Sequence, residues 1–155
     1  MTLPSFQAFS ALQLLRGAAP RIANDFAGLG IVFYNSLAAL PHLQLEIGGD
    51  ERFELPVEGL DPICDVLART ARHSSRWHDG FHFVRASSAS LTHLCQFIAP
   101  PLPNSSDAAP HASGARHMTA LLASKVSGIE AIGLLTHEGL ASIYEAGQLT
   151  FSELI

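Results

Sequence analysis

The sequence predicts an α/β domain built on a mixed, twisted central β-sheet flanked by helices. Stretches with helical spacing of apolar residues alternate along the chain with short apolar or alternating runs that read as strands. Interleaving of that kind is how a sheet comes to be covered by helices. The length of 155 residues, 48% of them apolar, suits one compact core and falls short of two, so residues 1–155 are expected to form a single domain.

Element by element, Phe6, Phe9, Leu12, Leu14 and Leu15 recur near helical spacing, and Arg16-Gly17 followed by Pro20 reads as the stop of a first helix. Gly30 to Tyr34 is a short buried strand. Leu43 to Ile47 alternates apolar with polar up to the turn Gly48-Gly49-Asp50, which predicts a hairpin with Phe53 to Val57. Asp61-Pro62 reads as an N-cap and first helical residue, with Ile63, Val66, Leu67 and Thr70 as one stripe of a helix ending near His73. Phe81 to Arg85 and Leu91 to Ile98 read as strands around a Ser-rich turn. The segment Ala99 to Ser113, rich in Pro, Ser, Asn and Ala, reads as a mobile loop. Gly114 to Lys125 is helical, with Met118, Leu121 and Leu122 on one face, and Ile129 to Thr136 and Ala141 to Tyr144 are the closing strands. Phe26, Phe33, Phe83 and Phe97 are expected in the core, and no internal repeat or heptad is present.

Charge narrows the function classes. A formal net charge of −5 and a single lysine, Lys125, argue against a protein that neutralises a polyanion, so DNA is not an expected partner. The longest apolar runs fall well short of the roughly 20 residues that span a bilayer, which predicts a cytoplasmic chain without a membrane partner. Cys64 and Cys95 lack metal-ligand spacing and sit in apolar surroundings, as buried free thiols do. The pair His78 and His82 is discounted as a zinc site, because a strand from Phe81 separates two residues that a helix would have brought together, and His73, His93 and His111 lie elsewhere. His82 and His93 read as structural.

Two short motifs carry the chemistry. His78-Asp79-Gly80 joins a helix to a strand; its carboxylate would bind Mg²⁺ or Mn²⁺, with His78 as a nitrogen ligand, and a residue without Cβ lets backbone approach a ligand. Alone, the tripeptide reads first as a surface Asp-Gly turn joining helix to strand. Gly114-Ala115-Arg116-His117 opens a helix after Ser113, where free N–H groups, the positive dipole end and a forked guanidinium favour phosphate.

In combination and in this order, the motifs resemble the diadenylate cyclase (DAC) domain, a family that joins two ATP molecules into cyclic di-AMP. Its hallmarks are Asp-Gly-Ala, often preceded by His, then Gly-Thr-Arg-His-Arg opening a helix, then a strand ending near a Ser-Glu-Glu-x-Gly-like turn. The matching stretches are His78 to Phe81, Gly114 to Met118 and Thr136-His137-Glu138-Gly139, within a resemblance spanning Leu55 to Leu149; the first fifty residues add nothing to it. The resemblance implies a DAC-like fold, a homodimer meeting face to face, and a divalent metal, Mg²⁺ or Mn²⁺, held by His78, Asp79 and Glu138. It implies Asp79 as the catalytic carboxylate and Gly80, Phe81, Gly114, Ala115, Arg116 and His117 around the nucleotide. Three departures, Phe81 for Ala, Ala115 for Thr and Met118 for the second Arg, weaken the phosphate site. Arg85 and Arg76 are the candidates to replace the missing cation, and Phe81 to lie against an adenine ring. The expected function is thus an adenine-nucleotide sensor binding ATP or a cyclic dinucleotide with impaired catalysis, and the alternative an active cyclase releasing pyrophosphate.

Overall fold

The computed structural model of the chain describes residues 9–103, 112 and 114–155. Phe6, His111, Ser113 and most of the expected 99–113 loop lie outside these. The first helix, α1 (Ala11–Ala18), starts at a reciprocal cap: the Ser10 hydroxyl accepts from the Gln13 N–H and the Gln13 side chain accepts from the Ser10 N–H. Gly17 does not stop it. A Cβ there would lie 2.6 Å from the Cys64 sulfur, so this glycine is a contact point between helices. The stop comes at Pro20, inside the 3-10 turn Ala19–Arg21.

Among the described residues eight strands follow: β1 (Leu29–Tyr34), β2 (His42–Gln44), β3 (Val57–Glu58), β4 (Phe81–Arg85), β5 (Ser90–Ile98), β6 (Ile129–Leu135), β7 (Leu140–Glu145) and β8 (Gln148–Leu154), with α2 (Leu60–Thr70) and α3 (Ala115–Ala123) between them. The sheet order is β2-β5-β4-β1-β6-β7-β8, with β3 also on β5; β1 and β4 run parallel and the other pairs antiparallel. The central strand β1 is buried at all six positions because both its faces are covered. Leu29, Ile31 and Phe33 face a core shared with α1 and α2, which also holds Leu14, Leu15, Ile63 and Leu67. Val32 and Tyr34 face a second core with Ala120 and Leu121 of α3 and Ile132 and Leu134 of β6.

Four expectations are corrected. The 43–57 hairpin does not form, because β2 and β3 pair with opposite ends of β5 and not with each other. The loop between them instead folds towards the end of α2, where the Trp77 indole donates to the Glu51 carbonyl and Arg69 pairs with Glu51. Helix α2 is capped at Gly59, whose φ of 92° a side chain would oppose, so Asp61 and Pro62 fall inside the first turn and Asp61 is free to pair with Arg21. Phe97 lies on the outer face of β5 and is 54% exposed, whereas Phe26, Phe33 and Phe83 are core. Strand β8 was not expected: nearly all its residues are exposed, so no burial pattern marks it. Cys64 and Cys95 are buried free thiols, as expected.

Candidate functional site

Strand directions bring three turns to one end of the sheet, and the second motif joins them through Arg116. Asp79-Gly80 leads into β4, Gly28 leads into the parallel β1, and the Thr136–Gly139 turn leaves the antiparallel β6. The Arg116 guanidinium, on the first turn of α3, donates through Nη2 to the Gly80 carbonyl at 3.2 Å, closing 36 residues of chain. It also lies over the Phe81 ring, 5.8 Å from its centroid. Burial lowers the Arg116 pKa and the nearby Asp79 carboxylate raises it.

Each expected residue has a definite place. Asp79 is exposed, and its Oδ1 stands 3.8 Å from Nε2 of His78. The His78 Nδ1 is 2.7 Å from the Ser75 carbonyl, which can only accept; Nδ1 therefore carries the proton and Nε2 is left as an electron-pair donor. Gly80 has φ 78°, and a Cβ there would meet the Gln96 carbonyl at 2.8 Å, so the missing side chain serves the approach of β5. The Phe81 ring is buried against Gly30 and beneath Arg116, which commits it to packing. Gly114, at φ 84°, caps α3 without a side-chain bond, and Ala115, Arg116 and His117 are its first three residues. Their N–H groups face the end of the helix. Nδ1 of His117 is 2.8 Å from the Tyr144 hydroxyl, and burial followed by the charge of Arg116 lowers the His117 pKa. Met118 packs against the α3 core.

Other expected members stand apart. Glu138 is exposed in the β6–β7 turn beside His137. Its strand is two spacings from the one that follows Asp79, about 10 Å away. Among the described residues no three His, Cys, Asp or Glu side chains gather as a metal site. Of the expected donors, only Asp79 Oδ1 and His78 Nε2 come together, 3.8 Å apart. Arg85 lies at the far end of β4, over Tyr34. Arg76 lines a separate cavity of about 260 Å³ with Arg69 and Arg72.

Sequence reasoning missed two glycines and one network. A Cβ on Gly28 would lie 2.9 Å from Nη1 of Arg116, and one on Gly30 would lie 2.9 Å from the Phe81 ring and 3.4 Å from Nη2. Together they form the slot that admits the guanidinium. Their spacing of two residues at a strand start, which puts both on one face, was the available signal. Behind Phe81, His82 accepts the Cys95 N–H on Nδ1 at 3.1 Å and lies 3.3 Å through Nε2 from the Thr70 hydroxyl, which donates to Leu67. Burial, then Arg116, pushes the His82 pKa down to about 3. The Cys95 sulfur donates to the Trp77 carbonyl just before the Asp79 turn, and burial, then Asp79, pushes its pKa up to about 12.

No family profile matches the sequence. No curated protein matches it either. Solved structures do match. A hypothetical membrane spanning protein from Bacillus cereus aligns with TM-score 0.60 and 19% identity over 97% of this chain, which spans 64% of that one. A double mutant of DacA from Staphylococcus aureus aligns with TM-score 0.54 and 19% identity over 94% of this chain and 83% of that one. In the present chain, no helix among the described residues is long and apolar enough to cross a membrane. At this identity the likeness is one of architecture: the chain has the mixed-sheet α/β fold of the DacA structure.

Proposed function

We propose that this chain is a nucleotide-binding domain of the diadenylate cyclase type, which binds ATP or a cyclic dinucleotide of adenine as a sensor and has lost most of the catalytic power of that family. The observation that carries this reading is the bond from Arg116 to the Gly80 carbonyl, which sets the first turn of α3 beside Asp79. A phosphate at that corner would meet the N–H groups of Ala115, Arg116 and His117 and the positive end of the α3 dipole. A divalent ion held by Asp79 and His78 would supply charge stabilisation to the phosphate oxygens.

The same geometry explains why catalysis is weak in this reading. Arg116 is partly committed to Gly80 and Phe81, and Met118, in place of the second family arginine, packs into apolar core. Charge stabilisation at a transferring phosphoryl group rests on such cations, and loss of one costs orders of magnitude in rate. A homodimer presenting two nucleotides face to face is the assembly in which condensation would occur.

Calorimetric titration of the purified chain with ATP and with cyclic di-AMP, each with and without Mn²⁺, tests the proposal. Saturable binding that Asp79→Asn weakens at least tenfold is expected. Accumulation of cyclic di-AMP from ATP and Mn²⁺, absent in Asp79→Asn, would replace the sensor reading with the cyclase one. Absence of binding to either nucleotide would remove both.

A further inference from the structure

A further cavity lies away from the Asp79 corner. It is a groove of about 620 Å³ between α3 and the β7–β8 hairpin, within the size range of small-molecule sites. Its floor follows from strand register: Ser142 opposes Ser152 and Tyr144 opposes Leu149 across β7 and β8, all on the face that α3 covers. Arg116 and His117 are adjacent on α3 and so diverge by about 100° around its axis. The first reaches Gly80, and the second reaches Tyr144 at the mouth of the groove.

Two features of the lining select a ligand chemistry. Among the described residues no Asp, Glu, Lys or Arg side chain lines the groove, in contrast to the cavity around Arg69, Arg72 and Arg76, so these walls offer no counter-charge to an ion. Ser142 is only 2% exposed, lines the groove, and has no side-chain hydrogen bond to another described residue. Its hydroxyl, on the groove wall without a protein partner among the described residues, is open to a ligand group that bonds to it. Ser152 and Gln148 add groups that both donate and accept, while Leu149 and Leu121 add apolar surface.

We infer that this groove is a second ligand site, separate from the Asp79 corner, which takes an uncharged molecule carrying hydrogen-bond donors and acceptors beside apolar surface, of the size of a nucleoside. Its ligand would touch His117 from the side opposite to the phosphate corner, so that the two sites share one residue.

Titration of the whole chain with adenosine, followed by backbone amide shifts in nuclear magnetic resonance, tests it. Saturable shifts at Ser142, Tyr144, Leu149 and Ser152 are expected. Ser152→Trp, which fills the groove from an exposed position of β8, is expected to weaken adenosine at least tenfold, as is Leu149→Asp, which adds a charge there. Undiminished affinity in both folded variants, shifts confined to Gly80 and Phe81, or no saturation would overturn the proposal. Adenosine binding that persists while ATP fails to bind would support the groove and sink only the reading of the Asp79 corner.

Discussion

Arg116 shows how one side chain can serve both fold and site. Removing it in Arg116→Met deletes a charged hydrogen bond to a partly buried carbonyl, so urea denaturation is expected to show a loss of about 2 kcal/mol. Gly30→Ala attacks the same place from below: its methyl would force the Phe81 ring aside, and about 1–3 kcal/mol of destabilisation is expected in the same assay. His82 yields a pH prediction. Its folded pKa of about 3 lies below the ordinary imidazole value of 6.5, so between those limits the unfolded chain binds the extra proton. Stability is therefore complete above pH 6.5 and falls with acid, with a slope of up to about 1.4 kcal/mol per pH unit. Chemical denaturation of the wild type against His82→Gln at pH 7 and pH 5 checks the sign. His93 and His117 are lowered as well and add in the same direction. At this scale the sequence was only half informative: Asp79, Arg116 and His117 were legible from their motifs, but Gly28, Gly30 and Tyr144 act through contacts far away in sequence.

Among the elements, those with a strong burial pattern were legible and those without one were not. Strand β4 matches its expected bounds and β1 begins one residue early, since continuous apolar runs mark strands buried on both faces. The edges were legible only in part: β2 and β3 overlap the runs Leu43 to Ile47 and Phe53 to Val57 but are shorter and pair with β5, and β8, which exposes most of its residues to solvent, escaped notice. The hairpin between β7 and β8 turns on Ala146-Gly147 with φ values of 50° and 78°. Such two-residue turns favour Asn before Gly, because asparagine tolerates the left-handed region better than alanine. Ala146→Asn is accordingly expected to stabilise the protein by roughly 0.5–1 kcal/mol, visible as a higher melting temperature.

For the whole molecule, the α/β sandwich around a mixed sheet followed from the interleaving of helical and strand patterns and the helices on both faces from the family resemblance, whereas strand order did not follow, because register is decided by tertiary contacts. That order is what carries the proposed site, since the parallel pair at the centre sends Gly28 and the Asp79-Gly80 turn to the same rim, where Arg116 of α3 meets them. A ligand bound only by the folded chain stabilises it by mass action, so ATP with Mn²⁺ at one hundred times its dissociation constant is expected to add about 2.7 kcal/mol, and far less in Asp79→Asn. The buried imidazole of His82 has one further use. Because an amide proton points at its Nδ1, the ring is confined to a single tautomer, and its two nitrogens should give well-separated ¹⁵N resonances. Those resonances form an intrinsic gauge directly beneath the Asp79 turn, able to report whether the rim is intact in any variant before a nucleotide is ever added.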